Sequence, residues 1–184
     1  MGVPLAYFIT FTCYGTWLHG DERGSVDDEH NAPQTPVLPR DPQRRARERN
    51  ELAEPPYYLD GPRRQVTLHA LCEIARRKGW ALHAVHVRSN QVHVVVTAAG
   101  APERVLNDLK TAASRRLNQV FPAEQDRTRW TRHGSTRYLR TEEAVAEKVD
   151  YVLHGQGEPM ERFPDADDPS RAPNAPSRAR SAAE

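Results

Sequence analysis

Two short apolar segments joined by a tight turn place the strongest limit on the fold of this chain. Residues 80–87 alternate in the manner of a strand, and residues 92–97 form a second strand rich in valine. Ser89 and Asn90, between the two segments, are residues that favour turns. Residues 80–98 are therefore predicted to form an antiparallel β-hairpin.

Helical patterns lie on both sides of this hairpin. Residues 66–78 place their apolar side chains on one stripe, and a second helix is predicted to begin at Pro102. Aromatic and β-branched residues over 5–13 predict a buried first strand, and residues 135–139 a short later one. A final helix is predicted from an N-cap at Thr141 to Gly155.

The resulting order is β-α-β-β-α-β-α. Repeated strand-helix-strand units of this kind fold most simply into a ferredoxin-like plait of the α+β class, with an antiparallel sheet and helices on one face. One domain is expected over residues 1–163. Within it, the polar and proline-rich residues 21–60 are expected to form an insertion or lid loop with one helical turn near 43–52. Residues 164–184 are expected to be a disordered tail.

The composition of the 184 residues excludes some classes of protein. No run of 18 apolar residues is present, and the N-terminus lacks a signal-peptide pattern, so we expect a soluble, cytoplasmic protein without a membrane partner. The net charge of +1 is not in itself evidence for nucleic-acid binding. The basic residues are nevertheless clustered apart from the acidic ones, which is compatible with a basic face.

The second strand of the hairpin begins with Gln91-Val92-His93. Side chains two residues apart in a strand point to the same face, with α-carbons roughly 6.5–7 Å apart. Gln91 and His93 could therefore hold one metal ion through an amide oxygen and an imidazole nitrogen. By itself this polar-apolar-polar triplet is equally compatible with an ordinary half-exposed strand.

Tyr151 lies in the last predicted helix, with Glu147 four residues before it and His154 three residues after it on the same face. A helical tyrosine among apolar neighbours is most often a packing residue. Residues 127–140 interleave arginines with two aromatic residues, which suits phosphate neutralisation and base stacking. The candidate DNA contacts are Arg115, Arg116, Arg127, Arg129, Arg132, His133, Arg137 and Arg140.

Together these segments resemble the HUH-type single-domain tyrosine transposases, the insertion-sequence-200-like and repeat-associated group. The resemblance covers roughly residues 5–18 and 63–160. It rests on the Tyr-Phe-Ile-Thr-Phe-Thr strand, the strand-turn-strand over 84–96, the Trp130 segment and Val149-Asp-Tyr-Val-Leu153.

The resemblance implies the plait fold and a definite chemistry. Gln91 and His93 would hold Mg²⁺ or Mn²⁺ at the scissile phosphate of single-stranded DNA, often DNA with a folded hairpin. Tyr151 would attack that phosphate and form a 5′-phosphotyrosine, so that rejoining needs no ATP. The family includes homodimers that exchange the tyrosine helix, so Tyr151 could act in its own subunit or in a partner.

The sequence departs from the family pattern at two positions. Gln91 stands where the family has a histidine, and Gly155 stands where an amide residue commonly supplies a further metal ligand. His154 and Gln156 are the alternative candidates for that ligand. These departures leave open a catalytically silent DNA-binding protein on the same fold. An RNA-binding module is a more distant alternative, because the strands lack its aromatic signature, and no glycine-rich phosphate loop supports a small-molecule enzyme.

Overall fold

A computed structural model describes residues 4–18 and 41–164 of the chain. The strands are β1 (Ala6–Thr12), β2 (Ala81–Val87), β3 (Gln91–Thr97), β4 (Ser135–Leu139) and β5 (Glu161–Phe163). The helices are α1 (Pro42–Asn50), α2 (Gly61–Lys78), α3 (Pro102–Val120) and α4 (Glu142–His154). The five strands form one antiparallel sheet in the order β4-β1-β3-β2-β5. The α+β class and the antiparallel sheet predicted from the sequence are confirmed.

The main core lies between the sheet and the pair of helices α2 and α3, on what we call the α2/α3 face. It is built from alternate residues of β1 and β3 and from apolar residues of the two helices, including Ile9, Phe11, Val92, Val94, Leu71, Ile74, Leu109 and Leu117. Burial of each such side chain contributes about 1.5–3 kcal/mol. This layer fixes the central strand pair.

The opposite face of the sheet, which we call the α4 face, carries a smaller core. Phe8 and Val95 point to this face and form a buried cluster with Val152 of α4. The expectation of helices on one face is therefore correct for α2 and α3 but wrong for α4. The physical reason is that β1 and β3 are apolar on both faces, so both faces need cover.

Residues in and beyond the expected loop show further differences. Residues 42–50 form the full helix α1, capped by the Asp41 side chain, instead of a single turn. Tyr57 and Leu59 are buried in the main core and so are not part of a lid. Residues 19–40 of the expected loop, and 165–184 of the expected tail, lie outside the described residues. No described helix has the length and apolar character needed to cross a membrane.

The carboxyl end of α4 is fixed to the sheet by side chains from the strands. His86 of β2 is buried, its Nδ1 lies 3.0 Å from the carbonyl oxygen of Val152, and its Nε2 accepts a hydrogen bond of 3.2 Å from the backbone N–H of Met160. The proton of the neutral ring therefore resides on Nδ1. Arg162 of the unforeseen strand β5 donates to the carbonyl oxygen of Leu153 at 2.7 Å. These contacts hold the end of α4 against its own sheet.

We predict that His86 makes stability depend on pH. Its pKa is lowered from 6.5 to about 4, mainly by burial and also by the charges of Arg88 and Arg162, while the Val152 carbonyl and Glu161 oppose the shift. Between these pH values the unfolded chain binds a proton that the folded chain excludes, so the free energy of unfolding falls as the pH falls. In His86→Gln this decrease should be smaller by about 1 kcal/mol or more.

Urea unfolding followed by circular dichroism across this pH window measures the effect. His69→Gln provides the matched control, because His69 is exposed on α2. Equal pH slopes for wild type and His86→Gln would show that His86 does not couple protonation to folding.

Candidate active site

A row of polar side chains crosses the sheet on the α4 face. Direct cross-strand pairing aligns one polar residue from each strand, in the order Ser135, Thr10, His93, His86 and Arg162. Residues paired in this way share a face of the sheet. The residues that follow His93 in β3 are valines, so the polar side chains are confined to one end of the strand. That end is therefore the candidate for a functional site.

His93 is the central residue of this row. Its side chain is buried, its Nδ1 shares a hydrogen bond of 2.9 Å with the hydroxyl of Thr10, and its ring stacks on Phe8 at 6.0 Å between centroids. With the proton on Nδ1, the Nε2 atom carries a lone pair suited to a metal ion. That Nε2 atom is buried and has no hydrogen-bond partner within residues 4–18 and 41–164.

Gln156 follows α4 and lies beside His93. The pKa of His93 is lowered to about 4, mainly by burial and also by the charges of His86 and Arg88, while the Gln156 amide opposes the shift. The amide geometry does not complete a hydrogen bond, because Nε2 of His93 and Nε2 of Gln156 are both buried without a partner among the described residues. His93 is therefore neutral near physiological pH, which is the protonation state of a metal ligand.

Tyr151 lies against the same histidine. Its ring meets His93 at 6.4 Å and Phe8 at 6.1 Å between centroids, in both cases edge to face. Val152, next in sequence, is fully buried, whereas Tyr151 is 42% exposed at the edge of the apolar stripe of α4. Among residues 4–18 and 41–164, none hydrogen-bonds its hydroxyl, so the phenol is open to a substrate.

Gly155 occupies the position one turn after Tyr151 where the family commonly has an amide residue. A Cβ atom at position 155 would lie 2.8 Å from the Tyr151 ring and 2.9 Å from its carbonyl oxygen. The backbone is not in the left-handed region, so this crowding is the reason that glycine fits here. The next residue, Gln156, brings an amide to His93 instead.

The other two residues near Tyr151 in sequence point elsewhere. His154 is exposed and its Nδ1 lies 2.9 Å from a carboxylate oxygen of Asp150. Glu147 pairs with Lys148, whose ammonium lies over the Tyr151 ring at 5.5 Å. Of the two alternative ligands named from the sequence, Gln156 is the one that the structure brings next to His93.

The donor set determines whether a divalent metal ion fits. Gln91 begins β3 on the same face as His93, and both it and Gln156 offer an amide oxygen, a ligand type that Mg²⁺ and Mn²⁺ accept. The described residues contain no group of three or more His, Cys, Asp or Glu side chains able to hold a metal. The unpaired Nε2 of His93 fits a metal ion, but the neutral ligands imply one whose charge is balanced by an anionic substrate.

The predicted DNA contacts are spread over two faces of the molecule. Arg115 and Arg116 of α3 line a cleft of about 300 Å³ against α2, on the face of the sheet opposite to His93. Arg137 of β4 is exposed and pairs with Phe8 of β1, which places it on the α4 face. The structure therefore brings Arg137 to the candidate site and separates Arg115 and Arg116 from it.

Two of the predicted contacts are structural. Arg129 is 4% exposed and donates to the carbonyl oxygen of Glu124 at 2.8 Å, so the interpretation of this residue as a DNA contact is wrong. Arg127 pairs with Glu54 at 2.9 Å and donates to the carbonyl oxygen of Pro55 at 2.7 Å. Both guanidinium groups lie over the Tyr57 ring and hold the segment before α2 in place.

The loop after Trp130 presents the remaining basic residues. Arg132 and His133 are exposed, and the buried Lys110 of α3 donates to the carbonyl oxygens of Thr131 at 2.8 Å and His133 at 2.9 Å. Arg140 is exposed, and its guanidinium lies over the Tyr138 ring at 5.6 Å. Lys110 therefore gives the loop a fixed shape.

Sequence reasoning missed two residues of the site itself. Thr10 orients His93, and its position in the alternating pattern of β1, opposite to the buried face, was the available signal. Arg88, whose charge lowers the pKa of His93, offered no signal because a single arginine after a strand is an ordinary surface residue.

Comparison with known proteins identifies a family. The family model described as IS200-like transposase matches residues 57–148, half of the chain, which include Gln91 and His93 but end before Tyr151. No curated protein matches the sequence.

Two solved structures are similar to the chain. One is a REP-associated tyrosine transposase bound to a REP hairpin, with 11% identity, a TM-score of 0.45 and coverage of 83% of this chain and 67% of that one. The other is a putative transposase from Deinococcus radiodurans R1, with 17% identity, a TM-score of 0.43 and coverage of 83% and 91%. On the match of the family model over half of its length, the chain belongs to the IS200-like transposase family of DNA-processing enzymes.

Proposed function

We propose that this chain cuts and rejoins single-stranded DNA with Tyr151 as nucleophile and a divalent metal ion, Mg²⁺ or Mn²⁺, held by His93, Gln91 and Gln156. The observation that carries the proposal is the contact between the Tyr151 ring and His93, 6.4 Å between centroids, in a family of transposases. A nucleophile and a metal ligand must both reach one phosphate, and these two side chains do so from one surface.

Each side chain has a role that follows from its surroundings. Thr10 fixes the ring of His93 through Nδ1, and burial keeps that ring neutral. Gln91 and Gln156 contribute amide oxygens. A cation bound by these groups supplies Lewis-acid polarisation of the scissile phosphate. The phosphate itself contributes the negative charge that the protein ligands lack.

The covalent step exchanges one phosphodiester for another. The Tyr151 hydroxyl loses its proton as its oxygen forms a bond to phosphorus. The bond to the 3′ oxygen breaks, and that oxygen takes up a proton and leaves as a 3′-hydroxyl, so the protons balance. The DNA 5′ end then remains attached to Tyr151 through a phosphodiester. Attack by another 3′-hydroxyl reverses the step, so no external energy source is needed.

The anchoring of α4 favours action of Tyr151 within its own subunit. His86 and Arg162 bind the backbone at the end of α4, and the buried amide nitrogen of Gln156 lies beside His93 of the same chain. Exchange of α4 between subunits would require the same contacts to form between two chains, whereas one chain makes them without a partner. We therefore include in the proposal that one chain supplies both the nucleophile and the metal ligands.

The first prediction is that Tyr151→Phe abolishes covalent attachment to DNA and leaves binding nearly unchanged, since only the nucleophilic oxygen is removed. The assay incubates the protein with labelled single-stranded oligonucleotides from the DNA flanking its gene, some with inverted repeats that form hairpins, in Mn²⁺ or EDTA. A metal-dependent adduct that resists denaturation is expected for wild type.

Tyr58→Phe is the matched control, because Tyr58 is also exposed but lies outside the site. An adduct that persists in Tyr151→Phe would contradict the assignment. DNA binding by wild type without any adduct would instead favour a catalytically silent DNA-binding protein.

The second prediction concerns Gln91. Gln91→His should tighten Mn²⁺ binding in the presence of DNA by about tenfold, or ~1.4 kcal/mol, since an imidazole is a stronger donor than an amide oxygen. Calorimetric titration in the Tyr151→Phe background measures this without cleavage. Gln119→His, on the exposed surface of α3, is the control. An unchanged affinity in Gln91→His would mean that residue 91 is not a ligand.

The third prediction tests whether Tyr151 acts together with His93 of its own chain or of a partner chain. Mixing Tyr151→Phe chains with His93→Ala chains of different size should give no adduct, because neither chain then contains a complete site. If α4 is exchanged between subunits, the mixture will regain an adduct, and it will be attached to the His93→Ala chain.

A further inference from the structure

Arg88 places a positive charge at the edge of the candidate site. It follows β2, it is half-buried, and its backbone N–H donates to the carbonyl oxygen of Gln91 at 2.8 Å. Its side-chain Nη1 donates to the carbonyl oxygen of Gln156 and lies 3.3 Å from that of Glu158. Among the described residues no carboxylate pairs with it, so its positive charge is not neutralised there.

The guanidinium of Arg88 is held at one nitrogen and keeps further N–H donors that bind no described residue. Nη1 is bound to the turn after α4, whereas Nε and Nη2 have no partner in the described part of the chain and are not buried. A guanidinium fixed at one end keeps its planar fork, which matches two oxygens of a phosphate group.

The position of Arg88 places this fork beside the metal ligands. Its carbonyl partner belongs to Gln156, whose amide lies next to His93. Its charge acts on both His86 and His93, which share the α4 face of the sheet. The carbonyl oxygens that Arg88 binds belong to the turn after α4, so Arg88 lies on the same face of the sheet as Tyr151.

The charge balance of the site indicates the ligand. His93, Gln91 and Gln156 are side chains that carry no negative charge, so they do not neutralise Arg88. An anion that enters the site meets a positive charge that no described residue compensates. In a DNA-processing enzyme that anion is a phosphodiester.

We propose that Arg88 binds the two non-bridging oxygens of the scissile phosphodiester through Nε and Nη2. It thereby stabilises the charge that develops on these oxygens during attack by Tyr151. The inference rests on the proposed function and adds a catalytic residue to it. Oriented donors of this kind typically contribute 10²–10³ in rate.

The main alternative is that Arg88 only holds the turn that carries Gln156. Arg88→Gln separates the two roles, because an amide retains an N–H donor for the carbonyl oxygen but has no charge. Arg162→Gln is the matched control, since Arg162 also donates to a carbonyl oxygen at the end of α4.

The first test uses dimethyl phosphate, a diester monoanion, and the ¹⁵N signals of the arginine side chains in the metal-free full-length protein. The Arg88 Nε signal, identified by its absence from Arg88→Gln, should shift in a saturable manner, and the Arg162 signal should not. A stationary Arg88 signal, or equal shifts at both arginines, would overturn the proposal. This test does not require that DNA be cut.

The second test compares adduct formation with metal affinity. Arg88→Gln should slow adduct formation about 10²-fold and leave the Mn²⁺ affinity unchanged, and Arg88→Lys should recover only part of the rate because it lacks the fork. If the Mn²⁺ affinity falls in step with the rate, Arg88 acts only through Gln156 and the phosphate role is wrong. Failure of wild type to form any adduct would instead remove the proposed function, while the dimethyl phosphate result still decides whether Arg88 binds an anion.

Discussion

The antiparallel pairing of β1 with β3 is the contact on which the rest of the structure depends. These two strands are the second and third of the five, and both of their faces are covered. Their register sets Thr10 opposite His93. A slip of one residue would turn His93 into the main core and a valine toward Tyr151. Both the core and the site therefore follow from one register.

Burial and hydrogen bonding determine the protonation states of the two histidines on the α4 face. Burial keeps His86 and His93 neutral, but the two rings do different work. Both nitrogens of His86 are satisfied by the backbone around the end of α4, so that ring is structural. His93 has one nitrogen held by Thr10, and the other has no hydrogen-bond partner among the described residues. Two histidines on one face therefore differ in their hydrogen-bond partners: His86 is an anchor, and His93 keeps a nitrogen that the proposed function assigns to a metal ion.

The basic residues within 127–140 show that a charge pattern in the sequence does not distinguish structural arginines from exposed ones. Arg129 and Arg132 look equivalent in sequence, yet one is buried over Tyr57 and the other is exposed in a loop shaped by Lys110. An arginine can satisfy backbone carbonyls as well as phosphates. Which role it takes depends on contacts with residues far away in the chain, and no local pattern reports them.

The sequence by itself determined β1 to β4, α2 to α4 and their order, because hydrophobic period, caps and turns are local properties; it did not predict β5 or the full length of α1. Such rules predict the hairpin around Ser89-Asn90 and the Thr141 cap. They also predict that Gln91 and His93, two residues apart in one strand, share a face. Tertiary structure alone decided that α4 covers the second face, that Gln156 and not His154 reaches His93, and that Arg88 remains without a carboxylate partner in the described chain. These outcomes depend on which distant segments meet across the sheet, and the energies of such contacts are not encoded in any short window of residues.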